Sequence, residues 1–182
     1  MKRKRILAMI LAVASCLSLA VSASAANTPN RKATDFRDFD CTAWYAEAVS
    51  AAVDNGLLYG KSSTIIDPNG DMTRAEMAAI INRSFGCYKT ADISQYNDVS
   101  KSKWYYKDVA LAVQMGTYNG RSASAMAPDA PISRQEAMTV VARALELDYD
   151  SYSKTDLSAF SDRSEISNWA LPYVRAMVGA DY

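Results

Sequence analysis

The feature that most constrains the fold of this sequence is an internal repeat of 60 residues. Residues 36–86 align without a gap on residues 96–146, and 13 of the 51 aligned positions are identical. Average residue usage would give about three identities by chance. A third copy begins at Phe160, and the sequence reaches Tyr182 before the second half of that copy. A repeat of this length predicts an array of similar supersecondary units that stabilise one another by packing.

Each copy is predicted to form two helices joined by a loop. In the first copy, apolar residues at helical spacing begin at Trp44 and stop at Gly56, which supplies a left-handed C-cap. Gly116 is the equivalent residue of the second copy. The second helix opens with a capping box, in which a hydroxyl and a carboxylate each satisfy a backbone amide. The boxes are Thr73-Arg74-Ala75-Glu76 and Ser133-Arg134-Gln135-Glu136. The sequence therefore predicts an all-α fold of tandem helix-loop-helix repeats.

The N-terminus has the order of a secretory signal peptide. Four basic residues, Lys2 to Arg5, precede an apolar run from Ile6 to Ala20 and the small residues Ala23-Ser24-Ala25. Cleavage after Ala25 is expected, and lipid attachment at Cys16 is a less favoured alternative. The predicted segments are the signal peptide 1–25, a linker 26–35, repeat 36–86, a connector 87–95, repeat 96–146, a connector 147–159 and the partial repeat 160–182.

Composition excludes several classes of function. Without the signal peptide the chain keeps 16 of its 20 basic residues and all 20 acidic ones, a balance that disfavours nucleic acid and anionic membranes as partners. The sequence has no histidine, which excludes Ser-His and Cys-His nucleophiles. We expect no enzyme activity, no cofactor and no metal site. Cys41 and Cys87 could pair or stay free.

The repeats resemble the S-layer homology domain in a set of residues that recurs twice in the same order. The first copy has Phe36-x-Asp38, Trp44, Gly56-x-x-x-Gly60, Pro68 and Met72-Thr73-Arg74-Ala75-Glu76; the second has Tyr96-x-Asp98, Trp104, Gly116-x-x-x-Gly120, Pro128 and Ile132-Ser133-Arg134-Gln135-Glu136. The resemblance implies a pseudo-threefold helical bundle whose third repeat is incomplete here. It also implies a secreted protein of the cell surface, cell wall or S-layer that binds secondary cell-wall polysaccharide, often pyruvylated.

By this resemblance, Arg74 and Arg134 are the favoured glycan ligands. Each lies in the first turn of a helix, where unpaired amides and the helix dipole favour an anion. A guanidinium there could pair with the carboxylate of a pyruvate ketal, a contact of roughly 1.5 to 3 kcal/mol. The other candidate glycan-binding residues are Asp38, Asp98, Trp44, Trp104, Thr73 and Ser133.

Each candidate also has a structural interpretation, which for Arg74 and Arg134 is an ion pair with a neighbouring carboxylate. Capping accounts for Thr73 and Ser133 together with Glu76 and Glu136, and we favour it there. A core position is favoured over sugar stacking for the two tryptophans. Asp38 and Asp98 are expected either to cap the first helix or to accept sugar hydroxyls. Gly60 and Gly120 are expected to shape a loop or to admit a ligand, and Arg83 and Arg143 to interact with the C-terminal helix dipole.

The leading hypothesis is non-enzymatic anchoring of an exported protein to wall polysaccharide. The alternative is an envelope scaffold or protein-interaction module without glycan binding, and a carbohydrate-active enzyme is third. No membrane span is expected after signal cleavage. A helix pattern from Asn168 onward that lacks its partner would leave an apolar edge, which predicts self-association through the incomplete third repeat.

Overall fold

The computed structural model describes residues 31–182 and contains helices joined by ordered loops. The α-helices are α1 (Ala46–Asp54), α2 (Arg74–Phe85), α3 (Tyr106–Met115), α4 (Arg134–Ala144) and α5 (Leu171–Gly179). Short 3-10 turns lie at Ala33–Asp35 and Arg163–Glu165. Within residues 31–182 there is no strand, and the β-type contact is a single isolated bridge between Thr73 and Pro131. The predicted all-α class is confirmed, whereas the pseudo-threefold arrangement stays a prediction.

The helices end as their glycines predict. Gly56 follows α1 with a φ of 66°, and Gly116 caps α3 with a φ of 78°. Both values lie in the left-handed region that glycine adopts without a steric penalty. The first helix of each copy, however, starts later than predicted, at Ala46 and Tyr106. The apolar spacing began at Trp44, so the prediction placed this tryptophan inside a helix that begins two residues after it.

The chain divides into two compact units, and the division falls inside the first sequence repeat. The described part of the first unit ends at Gly70, and the second runs from Asp71 to Asp181. In the first unit, α1 packs against the 3-10 turn Ala33–Asp35. Its core consists of Ala33, Phe36, Val53 and Ile66, with Phe39, Val49 and Leu58 packed around them.

In the second unit, the second helix of one repeat pairs with the first helix of the next. Helix α2 packs against α3, and α4 packs against α5. The α2 face is lined by small residues, such as Ala75, Ala78 and Ala79, which permit close packing of the helices. The buried Asn82 donates from Nδ2 to the carbonyl of Asp108 at 2.8 Å and joins α2 to α3. The expectation that neighbouring repeats pack on one another is confirmed within this unit.

The partial third copy is packed rather than left as an open edge. In α5, Val174, Ala176 and Met177 are buried. Leu157, Ala170 and Val174 form a cluster with partly buried apolar residues that include Met138 of α4. Since α4 covers the apolar face of α5, the predicted apolar edge from Asn168 onward is absent from the described structure. Self-association stays a prediction.

Two predictions for the N-terminus lie outside the residues that the structure describes. The signal peptide 1–25 and Cys16 precede residue 31, where the described structure begins. No helix within residues 31–182 is long and apolar enough to cross a membrane. Cys41 and Cys87 are both free thiols, and Cys87 Sγ lies 3.1 Å from the sulfur of Met115.

Candidate functional site

The starts of α2 and α4 both carry a complete capping box. Thr73 Oγ1 accepts from the amide of Glu76 at 3.2 Å, and the Glu76 carboxylate accepts from the amide of Thr73 at 2.8 Å. The corresponding distances between Ser133 and Glu136 are 3.3 and 2.8 Å. These four residues therefore fix where the two helices begin, and with them the positions of Arg74 and Arg134.

Arg74 is held inside the protein by the second repeat. Its side chain is 6% exposed, and its Nε donates to the carbonyl of Met126 at 3.0 Å. Its Nη2 donates to the carbonyl of Asn119 at 3.3 Å, and its Cζ lies 5.1 Å from the ring centroid of Tyr118. Tyr118 donates its hydroxyl to the carbonyl of Arg74 at 2.9 Å. The guanidinium therefore fixes the loop that contains Tyr118 and Asn119 against the start of α2.

Glu136 joins Arg74 to a second, more exposed arginine. Its Oε1 accepts from Arg74 Nη1 at 3.0 Å and from Arg121 Nε at 3.1 Å, and its Oε2 accepts from Arg121 Nη2 at 3.2 Å. Burial raises the pKa of Glu136, but the hydrogen bond from the Ser133 amide and the charge of Arg74 outweigh it and lower the pKa overall. The carboxylate therefore stays ionised between two guanidinium groups, and Arg121 is 44% exposed.

A groove of about 370 Å³ in the second unit is lined by Arg74, Arg121 and Glu136. Its further walls come from the loop around Gly120, from Arg143 of α4 and from Trp169 before α5. Three arginines and one glutamate give the groove a net positive charge, although residues 26–182 contain 16 basic and 20 acidic side chains. Trp169 is 51% exposed, so part of its ring is available to a ligand. A positive floor beside an aromatic wall suits a small acidic ligand that also has an apolar face.

Arg134 occupies the same repeat position as Arg74 but a different environment. Its side chain is 70% exposed, and it forms an ion pair 3.7 Å long with Asp162, which is 54% exposed. Next to it, the side chain of Gln135 accepts from the amide of Ser167 at 2.9 Å. The structure therefore brings Arg74 into the groove and leaves Arg134 on the surface.

The tryptophans lie at the surface, so the preference for a core position was wrong. Trp44 and Trp104 are 54% and 59% exposed, and each packs edge-on against the tyrosine that follows it. That tyrosine takes the core position: Tyr105 is 1% exposed and donates its hydroxyl to Asp129 at 2.8 Å. The helices begin at Ala46 and Tyr106, so both tryptophans precede them, and the N-cap tyrosine next to each is the aromatic residue that is buried.

Asp38 and Asp98 have a role that neither sequence interpretation anticipated. Asp38 accepts from the amides of Ile66 and Asp67 at 3.0 and 2.8 Å, and Asp98 accepts from the amides of Met126 and Ala127 at 2.9 and 2.7 Å. Asp67 and Ala127 have φ values of 53° and 54°. Each carboxylate therefore holds a left-handed residue before the repeat proline, instead of capping the first helix.

The loop glycines admit an aromatic ring of the same repeat. A Cβ on Gly60 would lie 2.4 Å from the ring of Phe36, and one on Gly120 would lie 2.5 Å from the ring of Tyr96. Tyr96 also accepts from the amide of Gly120 at 3.3 Å. The close approach predicted at these glycines is therefore made by the protein itself.

Arg121, Arg143 and Trp169 were not assigned to a ligand site from the sequence, although all three line the groove. Arg121 was not singled out, although Lys61 at the aligned position also places a positive charge after the loop glycine. Trp169 lies in the partial third copy, which was interpreted from the sequence as part of the repeat and not as part of a site. Arg143 was assigned to the helix dipole, but it also donates to the carbonyl of Thr117 at 3.5 Å and lines the groove.

A larger and more open cavity of about 580 Å³ lies at the C-terminal ends of α2 and α4. Among its lining residues are Cys87, Tyr88, Met115 and Leu145. Within residues 31–182 no cluster of three or more His, Cys, Asp or Glu side chains could hold a metal ion. The groove around Arg74 is lined by four charged side chains, Arg74, Arg121, Glu136 and Arg143, whereas this cavity is lined by two, Lys89 and Glu146.

The family model for the S-layer homology domain matches residues 35–78 and 95–138. A surface-layer 125 kDa protein of Lysinibacillus sphaericus is 32% identical over 156 residues, which cover 85% of this chain and 13% of that protein. An endoglucanase of Bacillus sp. (strain KSM-635) is 26% identical over 92% of this chain and 18% of that enzyme. An S-layer protein of Bacillus thuringiensis subsp. finitimus is 22% identical over 86% and 19%. The chain thus spans less than a fifth of the length of each of these relatives.

Proposed function

The chain belongs to the S-layer homology family, and on that premise we propose that its groove anchors it to an acidic cell-wall polysaccharide. Anchoring at the cell surface is the role of the family, and the chain is a secreted surface protein. The finer proposal concerns the ligand: a sugar that carries a carboxylate, such as a pyruvate ketal, in the groove beside Arg121. The proposed role is non-catalytic.

The observation that supports this proposal is a groove lined by three arginines, two of them bonded to Glu136, beside an exposed tryptophan. Arg74 contributes a fixed charge, because its bonds to Met126, Asn119 and Glu136 leave few N–H groups for a ligand. Arg121 is the more accessible of the two that contact Glu136. A ligand carboxylate could bind the outer N–H groups of Arg121 by charge-assisted hydrogen bonds while a sugar face stacks on Trp169.

The second arginine predicted from sequence has a smaller role in this proposal. Arg134 is exposed and lies outside the groove residues. Asp38 and Asp98 shape loops, and Thr73 and Ser133 cap helices, so their contribution to binding is indirect. Trp44 and Trp104 are exposed and stay candidates for stacking at other places on the surface.

The test is calorimetric titration of the purified chain with wall polysaccharide, before and after chemical removal of its pyruvyl groups. We expect Arg121→Gln to weaken binding to the pyruvylated polymer by roughly tenfold or more, the equivalent of one charge-assisted hydrogen bond. Arg121→Gln should have little effect on the polymer without pyruvyl groups. Lys103→Gln, which removes an exposed positive charge outside the groove, is the matched control.

A second pair of variants tests the aromatic wall. Trp169→Ala should weaken binding, and Trp104→Ala, which removes the equivalent exposed tryptophan outside this groove, should have a smaller effect. If the two substitutions weaken binding equally, sugar stacking is not specific to the groove. A flat titration with the wild-type chain would favour the scaffold alternative, and equal binding by Arg121→Gln would overturn the proposed mechanism.

A further inference from the structure

The groove wall formed by Arg143 continues onto two tyrosines. Arg143 Nη2 donates to the hydroxyl of Tyr173 at 3.3 Å, and its Cζ lies 4.8 Å from the ring centroid of Tyr173. The ring of Tyr149 packs against Tyr173 with centroids 5.5 Å apart at 59°. An aromatic surface therefore extends from the groove to the connector 147–159, on which Tyr149 lies.

This connector is fixed to α5 by several independent contacts. Arg175 Nη1 donates to the carbonyl of Ser153 at 2.8 Å, and Leu157 is buried in the cluster with Ala170 and Val174. Gly179 lets the ring of Tyr152 approach so closely that an added Cβ would lie 2.5 Å from it. The connector thus presents Tyr149 from a defined position, which lowers the entropy lost when a ligand binds.

Tyr149 is packed on one side and accessible on the other. It is 45% exposed, and its contact with Tyr173 limits its freedom. The other connector, 87–95, also carries a tyrosine, but Tyr88 is 80% exposed and its ring contact is with the flexible side chain of Lys89, 5.7 Å away. The partial packing of Tyr149 is what an aromatic stacking surface requires.

The charges around the two surfaces differ in sign. The groove contains Arg74, Arg121 and Arg143, whereas the exposed carboxylates Asp148 and Asp150 flank Tyr149 in the sequence. An acidic sugar is therefore attracted to the groove and repelled from the connector. A neutral sugar has no charge to be repelled there, and its hydroxyls can donate to carboxylate oxygens.

We propose that Tyr149 and Tyr173 form a second subsite that stacks on a neutral sugar residue of the polysaccharide whose acidic residue occupies the groove. The subsite rests on the proposed function, because it extends the same glycan chain beyond the groove. It makes binding depend on the length of the glycan, and it sets the polymer direction from the acidic unit at Arg121 to a neutral unit at Tyr149.

The experiment compares two probes by calorimetry on the full chain: the pyruvylated terminal monosaccharide alone and short oligosaccharides of the same polymer. The wild type should bind the oligosaccharides more tightly than the monosaccharide. Tyr149→Ala should remove most of that gain, a loss of roughly 2- to 10-fold, and leave the monosaccharide affinity unchanged. Tyr149→Phe should behave as wild type, because stacking uses the ring, and Tyr88→Ala is the matched control.

The outcomes separate this inference from the proposed function. If the wild type binds the monosaccharide but Tyr149→Ala does not change the affinity for oligosaccharides, the second subsite is overturned and the groove assignment stands. Absence of binding to both probes in the wild type would overturn both. If Tyr149→Ala lowers the melting temperature, Tyr149→Leu keeps apolar packing on Tyr173 and removes the aromatic face, so the same comparison can be made with a folded protein.

Discussion

Arg74 and Arg134 occupy the same position in two copies of one repeat, yet the structure gives them opposite environments. Arg74 is 6% exposed and bonds to Met126, Asn119 and Glu136, whereas Arg134 is 70% exposed and has one ion pair 3.7 Å long. Both lie directly after the N-cap residue of a complete capping box and begin a helix of similar length. The difference therefore comes from what packs against each helix start and not from the local sequence.

At α2 the neighbouring segment is the loop of the second repeat. Its carbonyls at Ala130 and Pro128 accept from the amides of Arg74 and Ala75 at 3.0 and 2.9 Å, and the amide of Ile132 donates to the carbonyl of Met72 at 2.9 Å. At α4 the neighbours are Asp162 and Ser167 of the partial third copy. One recurring arginine thus serves as an internal connection in one place and as a surface charge in the other.

The strongest test of this comparison is removal of the buried arginine. Arg74→Ala should lower the free energy of unfolding by about 2 to 5 kcal/mol, because it leaves the carbonyls of Met126 and Asn119 without their donor and removes one of the two arginines bonded to Glu136. Urea denaturation followed by circular dichroism measures this change. A loss no larger than that caused by Arg134→Ala would contradict the internal role of Arg74.

The carboxylate between the arginines predicts a pH dependence. The pKa of Glu136 is lowered in the folded protein from its ordinary value of 4.5, so its ionised form stabilises the fold above that value. This contribution is lost as pH falls through the lowered pKa. Glu136→Gln cannot titrate, so its stability deficit against wild type should be largest near neutral pH and shrink in strong acid. Urea midpoints at several pH values test this, and a deficit that grows on acidification would contradict the assignment.

The side-chain caps at the starts of α2 and α4 should make similar contributions to stability. Thr73→Ala and Ser133→Ala each remove a side-chain cap, and each should cost about 1 kcal/mol of stability. Thermal unfolding of the two variants in parallel is the measurement. Thr73→Ser and Ser133→Thr keep the hydroxyl and serve as controls. A loss of stability in only one of the two variants would mean that tertiary packing, rather than capping, determines the contribution of these helix starts.

The smallest effect is expected at the exposed arginine. Arg134→Ala should change the free energy of unfolding by less than about 1 kcal/mol, because an exposed ion pair gains little in water. Whatever effect remains should diminish as sodium chloride is raised, since salt screens exposed charges. A melting curve at low and high salt distinguishes this from a buried contact, and a large loss that is insensitive to salt would show that Arg134 has a packed partner.

Much of the fold could be predicted from local patterns. The capping boxes at Thr73 and Ser133 depend on residues within one turn, and the left-handed glycines at Gly56 and Gly116 depend on a single backbone position. The location of Trp44 could not be predicted in the same way. Its apolar spacing fitted a helical face, but the helix starts at Ala46, so the adjacent tyrosine takes the core position.

The sequence by itself determined the repeat, the helical class, the capped starts of α2 and α4 and the family, because each depends on neighbouring residues or on their order. Only the tertiary structure decided that α2 pairs with α3 across the boundary of the sequence repeat. It also decided that Arg74, Arg121, Arg143 and Trp169 meet in one groove. These residues are separated by up to 95 positions. The environment of a side chain is set by the elements that pack around it, and no local pattern distinguishes Arg74 from Arg134 before the chain has folded.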